Sequence, residues 1–198
     1  VFQGESAENF PLIPQLEHGI ELILAPAEVR QALDQVLYAV ATEDTRPELS
    51  GVFLRGEGSA LTLAATDSYR LGETRVTLRA ALASPVSVIL PFRAAHEMRR
   101  GLEGDVSEAT LRVGDGRVVL LTPGIQVVSR SIEGTYPDYT QIIPRQSPTM
   151  VEVDRVQLLR AVRASAVFGG SAANRVTLEA VAEGLRVAAT TPEMGETE

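Results

Sequence analysis

Val86-Ser87-Val88-Ile89-Leu90-Pro91 is the point at which this chain begins an order of elements for the second time. The apolar run reads as a strand, and Pro91 stands where a helix's first turn tolerates proline, opening a helix through Arg100. Three strand-like runs follow, Ala109 to Val113, Arg117 to Leu121 and Ile125 to Ile132, and Gly114-Asp115-Gly116 supplies the tight turn between the first two. Upstream the same order stands once already. Ile20 to Leu24 is a short strand, Pro26 opens a helix on which Val29, Leu33, Val36, Leu37 and Val40 recur at helical spacing over 27–41, and a polar stretch from Glu43 to Glu48 follows. Strands then come at Gly51 to Leu54, Leu61 to Ala64 and Gly72 to Leu78, with a turn expected at Gly56-Glu57-Gly58. Residues 20–144 thus read as two copies of strand, helix and three strands, an α+β domain with internal pseudo-symmetry.

A longer repeat overlies the short one. An offset of 124 residues, which carries Ala64-Ala65-Thr66 onto Ala188-Ala189-Thr190, also carries Val52 onto Val176, Leu54 onto Leu178 and Leu61 onto Leu185. Gly72-Glu73-Thr74 returns as Gly195-Glu196-Thr197, one residue out of step. A helix is expected over Val156 to Phe168, with Leu159, Val162 and Ala166 on its apolar side. Residues from Met150 onward therefore copy the first half of the preceding domain, and half a repeat cannot close its own core. The expectation is a truncated or incompletely represented chain. Val1-Phe2-Gln3-Gly4 reads either as the tail of an earlier copy or as a tag or disordered end, and residues 8–18, with two prolines, read as a linker.

Composition narrows the function classes. Hydrophobic residues make up 44% of the chain, enough for a sizeable core, and no stretch reaches the roughly 18 uninterrupted apolar residues of a membrane span. With no signal-peptide order at the N-terminus, the expected compartment is the cytoplasm. The absence of cysteine excludes disulfides and thiolate metal sites, and two isolated histidines, His18 and His96, leave little for zinc, so no cofactor or metal is expected. A net charge of −8 argues against gripping nucleic acid over the whole surface, yet it leaves room for local basic patches.

Three segments resemble one family. Thr66-Asp67-Ser68-Tyr69-Arg70-Leu71 is similar to a Thr-Asp-Gly-His-Arg-Leu signature. Ser129-Arg130-Ser131-Ile132-Glu133-Gly134-Thr135-Tyr136-Pro137-Asp138-Tyr139 resembles Ser-Arg-Leu-Ile-Glu-Gly-Lys-Phe-Pro-Asp-Tyr. Glu43 to Val52, with Thr45-Arg46-Pro47 at its centre, resembles Glu-Thr-Arg-Pro-Val-Leu-Asn-Gly-Val. All three are motifs of the bacterial sliding clamps, the beta subunits of DNA polymerase III, and with the matching element order the resemblance covers nearly the whole chain.

The resemblance implies a DNA clamp fold, with repeated strand-helix-three-strand units, sheets outside and helices lining a ring. It implies a division into 1–18 (tail of a preceding domain and linker), 19–145 (a complete second clamp domain) and 146–198 (linker and the first half of a third). It implies a processivity factor with no catalysis, which encircles duplex DNA without reading sequence, forms a homodimeric ring in the intact parent, and tethers the DNA polymerase III catalytic subunit, the clamp loader and other clamp-motif proteins. These partners would enter a hydrophobic pocket matched here by Leu49, Thr66, Ser68, Tyr69, Arg70, Leu71, Pro137 and Ile142. Read bottom-up, Leu49, Leu71 and Ile142 would supply apolar walls, and Thr66 and Arg70 would orient a peptide. Plainer readings stand beside these: Leu71 as core, Arg70 as a solvated strand residue, Pro137 as a strand stop.

Ser68-Tyr69 departs from the usual Gly-His, and Gln141 takes a place often basic. The pocket's remaining wall would come from the end of the third domain, outside these residues, so partner affinity is expected to be impaired. Arginines expected to face DNA are Arg93, Arg99 and Arg100 on the 92–101 helix, Arg160 and Arg163 on the 156–168 helix, and Arg46; an ordinary solvated helix face is the alternative.

Two rival functions are weaker. An enzyme would have to use Asp44 and Asp67 as Mg²⁺ ligands, but no phosphate-binding loop accompanies them, and Gly169-Gly170-Ser171 follows a helix instead of preceding one. A non-ring adaptor that keeps the pocket without encircling DNA is not excluded by any residue.

Overall fold

The computed structural model describes residues 4, 16, 18–42, 45–144, 146–168, 176–181, 184–191 and 195–197. Asp44, Gly169-Gly170-Ser171, Val1 to Gln3 and most of the linker at 8–18 lie outside the described residues. The chain divides into two compact units, Val1–Asp138 and Tyr139–Glu198, ahead of the boundary expected between 145 and 146.

The first unit follows the doubled order: β1 (Ile20–Leu24), α1 (Pro26–Val36), β2 (Gly51–Glu57), β3 (Ala60–Thr66) and β4 (Leu71–Thr77), then β5 (Val86–Pro91), α2 (Phe92–Gly101), β6 (Ala109–Gly114), β7 (Arg117–Leu121) and β8 (Gln126–Arg130). Three local readings need correction. The helix expected over 27–41 stops at Val36 and tightens into a 3₁₀ turn at Leu37–Ala39. The turn expected at Gly56-Glu57-Gly58 comes later: Gly56 and Glu57 end β2, and the chain reverses at Gly58-Ser59, where glycine takes φ +56°. β4 spans Leu71–Thr77, leaving Leu78 outside it.

Two four-stranded antiparallel sheets result, in the orders β4-β3-β2-β5 and β1-β6-β7-β8. Each therefore takes an edge strand from the other half. β1 pairs with β6 (Leu22↔Leu111, Leu24↔Ala109), and β5 pairs with β2 (Val88↔Leu54, Leu90↔Val52). The sheets also meet edge to edge: Ile132 N–H donates to the Ile89 carbonyl at 2.9 Å, and Arg79 N–H donates to the Ile23 carbonyl at 3.0 Å. α1 and α2 lie side by side against these sheets. One core joins both halves, with Leu22, Leu24, Val36, Leu63, Leu90, Met98 and Leu120 buried together. Each buried leucine of this kind contributes on the order of 2 kcal/mol of transfer free energy.

The second unit holds α3 (Arg155–Phe168) and a three-stranded sheet ordered β11-β10-β9, with β9 at Thr177–Val181, β10 at Gly184–Thr191 and β11 at Gly195–Thr197. Asp154 caps α3, its Oδ1 accepting from Gln157 N–H at 2.8 Å. The inward face of α3 runs through Leu158, Ala161, Val162 and Ser165, whereas Leu159 and Ala166, expected on that face, are exposed. Among the described residues no helix is long and apolar enough to cross a membrane.

Candidate partner-peptide site

The reversal from β3 to β4 is built by its own side chains. Asp67 Oδ1 accepts the backbone N–H groups of Tyr69 and Arg70, each at 2.9 Å, and Oδ2 accepts Arg70 Nε at 2.9 Å. Thr66 Oγ1 donates to the Arg70 carbonyl at 2.8 Å and accepts from Ser68 N–H at 3.1 Å. These bonds hold Ser68 at φ +75°, a left-handed conformation that a residue with a Cβ seldom adopts. Burial alone would raise the Asp67 pKa. The two backbone N–H donors and the Arg70 guanidinium outweigh that effect and hold the carboxyl below its ordinary value.

Neighbouring elements fix where the turn points. α1 crosses β4 so closely that a Cβ on Gly72 would stand 3.1 Å from the Gln35 carbonyl oxygen, and Thr74 Oγ1 donates to Gln35 Oε1 at 2.8 Å. The 3₁₀ turn after α1 brings Tyr38 under Arg70, whose guanidinium carbon lies 5.8 Å from the ring centroid. Behind the turn, the Tyr136 ring stacks on Phe53 with centroids 4.8 Å apart and planes 9° apart. The Tyr136 hydroxyl is hydrogen-bonded to the Thr66 backbone, and its burial pushes its pKa up to about 12. Pro137, the next residue, is exposed beside this anchor.

A hollow of about 290 Å³ opens next to the turn, lined by Ala41, Thr42, Thr45, Arg46, Leu49, Asp67, Ser68 and Tyr69. Leu49 sits at its base on a 3₁₀ turn, Pro47–Leu49, tied down by Ala41 N–H donating to its carbonyl at 3.0 Å. Tyr69 stands almost wholly in solvent at the rim. The hollow combines a buried leucine, an exposed aromatic and a guanidinium, and Asp67 is the one carboxylate in its lining that could face a metal ion. Among the described residues no group of three or more His, Cys, Asp or Glu could hold one.

A model of the family described as "DNA polymerase III beta subunit, central domain" matches residues 23–138. The chain belongs to this sliding-clamp family. It is similar to the beta sliding clamp of Synechocystis (30% identity, 88% of this chain and 48% of the relative) and to that of Bacillus subtilis (29%, 97% and 51%). Among solved structures it resembles the Bacillus subtilis sliding clamp at TM-score 0.88 (27% identity, 98% of this chain and 51% of that one). It also resembles a Pseudomonas aeruginosa sliding clamp bound to griselimycin at TM-score 0.89 (26%, 96% and 52%). The chain spans about half the length of the curated clamps it matches.

Of the residues singled out by the clamp resemblance, the first unit brings together Leu49, Ser68 and Tyr69 at the hollow. Thr66, Arg70 and Leu71 lie in or beside the same turn, with Leu71 half-buried opposite Thr66 in the ladder. Ile142 belongs to the second unit, exposed just after the 3₁₀ turn Tyr139–Gln141. Arg46 lines the hollow. On α2, Arg99 bridges to Asp34 at 3.2 Å and to Glu103 at 3.1 Å, and Arg100 pairs with Glu97 at 3.2 Å. Arg93, Arg160 and Arg163 are exposed and form no ion pair among the described residues. Sequence reasoning missed the organising roles of Asp67, Tyr38 and Tyr136. Only Asp67 left a signal there, as an Asp two and three residues before the amides it could bind.

Proposed function

We propose that this chain contributes to a ring that encircles duplex DNA in the cytoplasm, and that the hollow beside the Thr66–Leu71 turn receives a linear motif of the DNA polymerase III catalytic subunit and other clamp-binding proteins. The observation that carries the reading is the juxtaposition of buried Leu49 with the rigid turn that presents Tyr69 and Arg70. An extended peptide would lay an apolar side chain against Leu49 and Leu71 and meet polar groups at Thr66 and Arg70. Pro137 would border the same surface. The role is topological and involves no chemical step.

For DNA, exposed Arg93, Arg160 and Arg163 would reach phosphates without a competing carboxylate, while the charges of Arg99 and Arg100 are partly spent on Asp34, Glu103 and Glu97. Such sparse phosphate contact suits sliding better than gripping.

Leu71→Asp tests the pocket. Fluorescence polarisation with a polymerase-derived motif peptide is expected to show binding weakened about 30-fold or more, the size of a hot-spot loss of about 2 kcal/mol. Unchanged affinity in a variant with a native circular-dichroism spectrum overturns the assignment. The ring is tested separately, with a protein of the relatives' full length containing this chain. It should persist on closed circular DNA and run off linear DNA, and equal loss from both refutes encirclement.

A further inference from the structure

Val52, Leu54 and Leu90 of the β4-β3-β2-β5 sheet face the shared core, and Phe53 and Ile89, between them in sequence, point to the opposite face. The segment that leaves β8 builds a pocket on that opposite face, wholly within the first unit. After one bridge to β5, in which Ile132 N–H donates to the Ile89 carbonyl at 2.9 Å, it swings across the sheet until the Tyr136 ring stacks on Phe53. Continuing the Ile89↔Ile132 register would set Gly134 opposite Ser87, but Gly134 takes φ +125° and no such pair forms. The gap is a pocket of about 390 Å³ whose lining includes Phe53, Ser87, Ile89, Ile132, Glu133 and Tyr136.

Three features of this lining define what it takes. Its floor is apolar and aromatic, with Ile89 and Tyr136 buried and Phe53 and Ile132 half-buried. Its wall carries unused backbone groups. Phe92 N–H donates to the Ser50 carbonyl, which sets the phase of the β2–β5 ladder: Leu90 and Val88 bond to β2, while Ile89 and Ser87 turn their N–H and C=O groups to the free side. Ile89 gives its carbonyl to Ile132, and among the described residues no backbone group meets Ser87 on that side. The third feature is charge. Glu133, the only charged residue in the lining, is exposed and forms no ion pair among the described residues. Arg55, opposite Ser87 in the ladder, is already held by Glu57 at 2.9 Å. Glu48, whose Cβ lies 3.9 Å from where a Cβ on Gly134 would stand, puts a second carboxylate beside the same loop.

We propose that this pocket receives an arginine from an extended segment of a partner protein, paired antiparallel with Ser87 in the place that Gly134 leaves. Residues opposite one another in a ladder put their side chains on the same face, so the arginine turns onto the Phe53–Tyr136 stack. There its guanidinium lies over aromatic rings, its methylenes cover Ile89 and Ile132, and its charge meets Glu133. Lysine fits less well, because an ammonium cannot both stack flat and pair through two N–H groups. The site shares no lining residue with the hollow at Leu49 and Tyr69, and it stands whether or not that hollow takes a motif peptide.

The probe is the blocked tripeptide acetyl-Val-Arg-Val-amide, titrated to about 10 mM into the isotope-labelled 198-residue chain and followed by amide chemical shifts. Saturable shifts should centre on Ser87, Glu133 and Thr135. The citrulline counterpart, equal in shape and uncharged, and the lysine counterpart should each bind about threefold or more weakly, and Glu133→Gln should weaken the arginine peptide as much. Ser87→Pro removes the edge N–H at a position where an edge strand tolerates proline, and it should weaken binding likewise. Leu71→Asp, at the other site, should leave binding unchanged. No saturation, shifts confined to the amides of Thr66 to Tyr69, or a loss of binding in Leu71→Asp overturns the proposal. So does a citrulline or lysine peptide that binds as tightly as arginine, or full affinity in Glu133→Gln.

Discussion

Replacing Asp67 with alanine removes three acceptor contacts at once: the N–H groups of Tyr69 and Arg70 and the Arg70 guanidinium, all at 2.9 Å. A hydrogen bond to a charged group is worth about 1.5–3 kcal/mol when water cannot replace it, and an exposed ion pair contributes under about 1 kcal/mol. The Arg70 side chain is 59% exposed and that of Asp67 20%, so water recovers much of the loss and the net cost should be about 1–2 kcal/mol. Asp67→Asn keeps an oxygen for the two amides and loses mainly the guanidinium contact, so it should cost less than half as much. Urea unfolding followed by circular dichroism reads both, and hydrogen exchange at the Tyr69 and Arg70 amides should accelerate in the alanine variant. The sign with pH follows from the lowered pKa. The carboxylate's contribution is complete above the unfolded-state value of about 3.8 and disappears as pH falls through the lower folded-state value, so parent and Asp67→Asn should converge in acid. An alanine variant within about 0.3 kcal/mol of the parent, or an asparagine variant as costly as alanine, would show that the turn is not held by this carboxylate.

Two further predictions concern the scaffold. Tyr136 is held neutral with its pKa pushed up to about 12, so the first unit should lose stability as pH rises from about 10 toward 12, and Tyr136→Phe should flatten that decline in a pH series of thermal melts. Gly51→Ala would put a Cβ 2.5 Å from the Leu90 carbonyl oxygen and 3.0 Å from Ile89 and Ile132 side-chain carbons. The backbone at the β2–β5 junction must yield, costing about 1–3 kcal/mol in urea midpoint analysis.

The element order was legible because both periodicities are strong: alternation along β6 buries Ala109, Leu111 and Val113, and helical spacing on α1 buries Val29, Leu33 and Val36. The exchange of β1 and β5 was not legible. A pattern of apolar residues states which face is buried but not which strand lies alongside, and Leu22 is as apolar beside β6 as it would be beside β2. The face of α3 was misjudged for a related reason. Val156 and Leu159 form an apolar stripe next to Leu158 and Val162, and periodicity cannot choose between adjacent stripes when both are apolar. At the candidate site, the motif located the turn, but the work of Asp67 depends on the φ of Ser68, which no residue name declares.

Crossed edge strands also set a schedule for synthesis. Ile20 must wait for Val113 to emerge before it has a neighbour, and Gly51 must wait for Pro91. Neither sheet of the first unit can reach full width while only its first half has left the ribosome, and the early hairpins would spend that interval with their apolar faces uncovered. The unit should therefore form late and in one step, and it should come apart the same way, because removing either crossed strand opens both halves together.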